Sequence, residues 1–150
     1  FGDYLAKAIG SPEADLDKDG QTSLLEADLM ASRQVEQFYT ESGRLATEHS
    51  LMDDNGDGLG TPAEFFVGVR ATKKAEGGRS TDGVRAHQMN VIRGTEEARL
   101  SPERRAQRDA LESELNALRE RKTSMAEDDY YRELERVLEA IARIYLQPET

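Results

Sequence analysis

The clearest periodicity lies late in the chain. Leu111, Leu115 and Leu118 recur at helical spacing, and Tyr131, Leu134, Leu138, Ile141 and Tyr145 form a second stripe that Val137 and Ile144 widen. Each stripe predicts an amphipathic helix. Ser101 followed by Pro102 reads as an N-cap with proline at the first helical position, while Arg119, Arg121 and Lys122 suit the negative end of that helix. Thr123, Ser124 and Met125 mark a break. Ser124 with Glu127 reads as a capping box for the next helix, and Asp128 and Asp129 fall in its first turn. Two helices of about 20 residues around a short break predict an antiparallel helical hairpin over 101–147, with coiled-coil character.

Earlier in the chain, Leu24, Ala31, Val35 and Phe38 predict a helix from Ser23 to about Ser42, which Gly43 stops. Asp28 interrupts that face and is expected at its edge, in water, the alternative being a supporting role behind metal ligands. Ser23-Leu24-Leu25-Glu26 and Thr61-Pro62-Ala63-Glu64 both read as capping boxes that open helices. Between the two periodic regions, 71–100 reads as a linker. It holds the turn signals Gly77-Gly78-Arg79-Ser80 and Asp82-Gly83, with a possible short strand within Val84 to Ile92. The expected division is therefore 1–70, 71–100 and 101–147.

Composition narrows the chemistry. Thirty acidic residues against twenty basic ones give a formal charge of -10 over 150 residues. Such a surface repels nucleic acid and anionic membrane and attracts cations, so neither nucleic acid nor membrane is expected as a partner. No run approaches the roughly 18 apolar residues of a membrane span, and the start Phe1-Gly2-Asp3-Tyr4 reads as that of an excised or processed piece. The absence of cysteine excludes disulfides, thiolate zinc sites and a cysteine nucleophile.

The acidic residues are not scattered. Asp15 to Glu26 and Asp53 to Glu64 each fit D-x-[DN]-x-[DN]-G-x5-E without a gap. In the first segment Asp15, Asp17 and Asp19 offer carboxylates at alternate positions. Gly20 permits the reversal, Gln21 supplies a carbonyl, Ser23 reaches through water, and Glu26 is the bidentate acid. In the second, Asp53, Asn55 and Asp57 alternate, Gly58 turns the chain, Leu59 supplies a carbonyl, Thr61 takes the water-mediated place and Glu64 closes the set. Calcium wants six to eight oxygens at about 2.3–2.6 Å, and such loops converge them on one centre. Without an ion, two carboxylates about 4 Å apart repel by on the order of 1 kcal/mol in water. Two calcium ions are the expected cofactors.

These loops resemble EF-hands, and Asp53 follows Asp15 by 38 positions, similar to paired hands. The flanks depart from that family: position 8, apolar there, is Thr22 in one loop and Gly60 in the other, and Gly10 and Pro12 interrupt the entering helix. The fold class expected is mainly α, an EF-hand-like pair of calcium loops followed by the helical hairpin. Residues 1–95 also resemble, through Phe1-Gly2-Asp3-Tyr4-Leu5, Asp15 to Glu26 and Thr47 to Gly58, the region after the catalytic core of bacterial caspase-like or legumain-like peptidases. That resemblance implies a parent outside the cytoplasm, in the periplasm, and carries over no catalytic residue.

His49 and His87 lie in no recognisable triad, His49 is expected to pack or hydrogen-bond, and His87 to be exposed or docked. Arg104, Arg105 and Arg108 read as a solvated helix face. The expectation is a non-enzymatic chain that binds calcium structurally in a larger extracytoplasmic protein, with 101–147 as a docking or self-association element. An accessory segment of a peptidase and a calcium sensor are the alternatives.

Overall fold

The computed structural model describes residues 1–73, 77 and 79–146. Gly78 of the expected turn and Gln147 at the expected end of the last helix lie outside the described residues. The fold is mainly helical, with short strands, and divides into two compact units, Phe1–Gly94 and Thr95–Thr150. Among the described residues no helix is long and apolar enough to cross a membrane.

The first unit is organised around one helix. Helix α1 (Gly2–Ile9) ends at Gly10, and a 3-10 turn, Pro12–Ala14, leads into the first acidic loop. Helix α2 (Leu24–Glu41) comes directly after that loop. Ser23 caps it, accepting from the Glu26 amide while the Glu26 carboxylate accepts from the Ser23 amide, so the first predicted capping box forms. The helix ends at Ser42, before Gly43 at φ +63°.

Two faces of α2 are buried against different things. Ala27 and Ala31 pack on Ala8 of α1, with Tyr4, Leu5 and Ile9 around them. Small residues on both helices let their axes approach closely. Leu25 and Leu29 instead enter a second cluster with Phe66 and Ala86. The buried stripe is therefore Leu25, Ala27, Leu29, Ala31 and Val35, whereas Phe38 is 47% exposed.

The strands are three two-residue or three-residue pairings. Strand β1 (Thr22–Ser23) pairs antiparallel with β6 (Asn90–Ile92), β2 (Leu51–Met52) with β3 (Thr61–Pro62), and β4 (Phe66–Val67) with β5 (Arg70–Ala71). The strand at the end of the first loop thus pairs with β6, and the two strands flanking the second loop pair with each other, so none of these pairings joins one loop to the other. Position 8 of the second loop, Gly60, lies so close to Leu51 that an added Cβ would sit 2.7 Å from the Leu51 Cβ.

One expectation fails here. Thr61 and Glu64 do not form a capping box: the chain makes only a 3-10 turn, Ala63–Phe65, whose N-cap is Pro62 without a side-chain bond, and then runs into β4. The cause lies in the residues after Glu64. Phe66, Val67 and Val69 favour extended backbone, and Gly68 at φ +59° turns β4 into β5. The short strand expected within Val84 to Ile92 is β6, and helix α3 (Val84–Gln88) precedes it.

In the second unit, α4 (Thr95–Arg99) precedes α5 (Pro102–Glu120), a 3-10 turn at Lys122–Ser124, and α6 (Glu127–Leu146). Ser101 caps α5, accepting from the Arg104 amide at 3.3 Å. Ser124 does not cap α6; its hydroxyl donates to the Arg121 carbonyl at 2.8 Å, inside the 3-10 turn. Leu115 and Leu118 are buried, as are Tyr130, Val137 and Ile144. Tyr131, Leu138 and Tyr145 of the expected stripe are more than a third exposed. Arg108, read as solvated, is 3% exposed and donates to Glu97 at 2.5 Å and to Tyr145 at 3.0 Å. Burial works against its charge, but the bonds to Tyr145 and Asp109 and the nearby Glu112 outweigh that and raise its pKa.

Candidate metal centre

The first loop is shaped by its own amides. Asp15 accepts from the Asp19 amide at 3.1 Å and from the Gly20 amide at 3.0 Å, and Asp17 accepts from Asp19 at 3.2 Å. Asp19 accepts from the Gln21 amide at 2.8 Å and from its side-chain amide at 3.0 Å. Gly20 takes φ +82° and Lys18 φ +64° to allow this path. For lysine the left-handed conformation costs on the order of 1 kcal/mol, which the surrounding bonds offset.

The result is convergence. Asp15, Asp17 and Asp19 each place an oxygen within 4.8 Å of the others. Such crowding is unfavourable for three anions. Burial and then the charge of Asp17 raise the pKa of Asp19, with a smaller push from Glu26, while its bonds from Gln21 act the other way.

Glu26 is the floor of this loop. It is 1% exposed. One oxygen accepts from the Leu16 amide at 2.8 Å and the Asp17 amide at 3.4 Å. The other accepts from the Ser23 amide and hydroxyl, both at 2.8 Å. The same carboxylate therefore closes the loop and caps α2.

A third element reaches the first loop from α3. His87 Nε2 lies 3.1 Å from Asp17 Oδ2. Asp17, Glu26 and His87 form a second group whose ligand atoms lie within 4.8 Å of one another. Asn90 donates to the Gln21 side-chain oxygen at 2.8 Å, and the Leu24 amide donates to the Met89 carbonyl at 2.8 Å. Residues 87–94, expected as linker, form a wall of this loop: an added Cβ on Gly94 would sit 3.2 Å from the Gly20 carbonyl oxygen.

The second loop shares the backbone design. Gly56 and Gly58 take φ +73° and +76°, at the positions that Lys18 and Gly20 hold in the first. Asn55 accepts from the Asp57 amide and Asp57 from the Leu59 amide, both at 2.8 Å, as Asp17 and Asp19 do. Asp53 accepts from the Gly56 amide at 3.0 Å. Yet among the described residues the three-membered clusters of acids and histidine fall only on the first loop, and Glu64 is exposed.

The second loop is instead covered by the segment before α3. Asn55 donates to the Ser80 carbonyl at 3.0 Å, and Arg79 donates to the Gly56 carbonyl. Asp54 accepts from the Gly83 amide at 2.9 Å and the Ala86 amide at 2.7 Å, which caps α3. Thr61 donates its hydroxyl to Asp82 at 2.6 Å. Sequence patterns missed Asp54, Asp82 and His87 because their partners lie 21 to 70 positions away. The one signal in the chain was that Asp54 and Asp82 are acids outside the alternating ligand positions.

Compared with protein-family models, characterised proteins and solved structures, the chain matches none.

Proposed function

We propose that the first unit is an EF-hand-like calcium module whose ions serve structure. The observation that carries this reading is the convergence of Asp15, Asp17 and Asp19 oxygens above the buried carboxylate of Glu26. An all-oxygen, strongly anionic set suits a hard divalent ion. Asp15, Asp17, Asp19, the Gln21 carbonyl and Glu26 would hold it, with Ser23 acting through water. Asp53, Asn55, Asp57, the Leu59 carbonyl and Thr61 would contribute to a second site. Calcium would supply the positive charge that relieves the mutual repulsion of these acids.

A structural role follows from where Glu26 sits. It belongs at once to the loop and to the first turn of α2, and α2 carries both core clusters of the unit. Ion binding is thereby coupled to the stability of the packed unit. The setting that suits such sites is an extracytoplasmic compartment rich in calcium. In the second unit, α5 and α6 serve as a helical hairpin for docking or self-association. Tyr131, Leu138 and Tyr145, one heptad apart on α6, are the exposed stripe that supports this role.

A second metal reading has its own observation. Asp17, Glu26 and His87 make a mixed nitrogen and oxygen set, which suits zinc or manganese better than calcium. Calorimetric titration of chelator-treated protein with calcium, magnesium and zinc, repeated on Glu26→Gln and His87→Ala, separates the two. The calcium reading predicts calcium-selective binding that Glu26→Gln weakens and His87→Ala leaves in place. Zinc-selective binding lost in His87→Ala would replace it.

A further inference from the structure

We infer that the second loop is closed by Asp82, from the segment preceding α3, and not by Glu64; this rests on the calcium reading above. A twelve-residue calcium loop needs a carboxylate at its end that turns back toward the ion. Glu64 is not placed to do so. It sits exposed in a 3-10 turn, and the chain then extends into β4.

Asp82 has the opposite surroundings. It is 5% exposed, and its Oδ2 accepts from the Thr61 hydroxyl, the ninth position of the loop, at 2.6 Å. Its Oδ1 is buried and has no hydrogen-bond partner among the described residues. Buried carboxylate oxygens are ordinarily matched by donors, because an unmatched one loses its hydration for nothing. A bound cation satisfies such an oxygen, as an ordered water does.

The position of Asp82 is fixed from both sides. Asn55 and Arg79 tie residues 79 and 80 to the loop, and Asp54 holds the Gly83 and Ala86 amides. Between those anchors Asp82 turns its Oδ2 to Thr61 in the loop wall. Among the described residues Asp53 and Asp57 form no tight triad with it; an ion bound there would have to draw the three acids together. Because α3 also carries His87 to the first loop, an ion held by Asp82 would tie both loops to one helix.

The test is calorimetric titration of the full chelator-treated chain with calcium chloride, in wild type, Glu64→Gln and Asp82→Asn. Two binding events are expected in wild type. Glu64→Gln should keep both within about threefold in Kd, while Asp82→Asn should weaken one by more than about 100-fold. Loss of an event in Glu64→Gln, or retention of both in Asp82→Asn, overturns the assignment while leaving the first site standing. Absence of any calcium event in wild type removes the calcium reading itself. Should Asp82→Asn fail to fold, Asp82→Glu keeps the charge but moves the oxygens: an altered second Kd upholds the assignment, and an unaltered one overturns it.

Discussion

Replacing Glu26 by glutamine removes one acceptor oxygen and the charge while nearly preserving shape. In the metal-free protein that carboxylate accepts four hydrogen bonds, two on each oxygen, from Leu16, Asp17 and Ser23. If Oε1 becomes the amide nitrogen, the Leu16 and Asp17 amides lose their acceptor; if Oε2 does, the Ser23 amide loses its acceptor while the Ser23 hydroxyl can turn to accept. Hydrogen bonds to a charged group contribute about 1.5–3 kcal/mol each. Relief from burying an anion offsets part of the loss, which leaves a net destabilisation of roughly 2–4 kcal/mol against a typical total of 5–15 kcal/mol. Urea unfolding in excess chelator, followed by circular dichroism, measures it. Amide exchange read by NMR localises it, since the Leu16 and Ser23 amides should exchange faster than those in the middle of α2. A change below about 0.5 kcal/mol, the level of an ordinary surface substitution, with both amides still protected, would refute the view of Glu26 as the joint between loop and helix.

The same contacts carry other consequences. Arg108→Met leaves Glu97, 3% exposed, without its cation and should cost about 3–5 kcal/mol; adding Glu97→Leu should recover most of it in thermal unfolding. Burial raises the pKa of Tyr145, with smaller upward pushes from Glu97 and Glu112 against the lowering effect of Arg108. The folded state therefore favours the neutral phenol. Its contribution is complete below the ordinary phenol value of about 10 and is lost as pH rises through the higher folded value, so alkaline unfolding curves should flatten in Tyr145→Phe. Gly83→Ala forces a Cβ to 2.7 Å from Phe66 and 3.1 Å from Leu25 at φ +93°; it should lower the unfolding temperature by an amount equivalent to about 1–3 kcal/mol. Calcium at 100 times its Kd should stabilise the unit by about 2.7 kcal/mol per site, seen as a higher melting temperature than in chelator.

What could be read from the chain was what depends on neighbours in sequence. The first loop's own hydrogen bonds, its glycine and the Ser23 and Glu26 box span at most ten positions, and spacing alone exposes them. Ser101 and Pro102 opened α5 for the same reason. The Thr61 and Glu64 capping box misled because the twelve-residue pattern says nothing about the chain beyond it. Phe66, Val67 and Gly68 turn that exit into a hairpin, and Glu64 sits exposed in the 3-10 turn before it.

Contacts between distant segments were not legible. Asp82 and His87 meet the loops where α3 packs on Leu25 and Leu29 through Ala86. Arg108 was legible in principle. It lies three positions before Leu111 on the stripe of Leu115 and Leu118, and a charge on an apolar face needs a buried partner, which Glu97 supplies. On α6 the apolar residues cover so wide an arc that two stripes were compatible with spacing. Packing selected Tyr130, Val137 and Ile144.

The central claim is an ion held by the first loop. Crystals grown in calcium, with anomalous diffraction recorded at a wavelength where calcium scatters, test it most directly. The account predicts an anomalous peak ringed by oxygens of Asp15, Asp17, Asp19, Gln21 and Glu26. Featureless density there at saturating calcium, with the three aspartates turned to solvent, would contradict it.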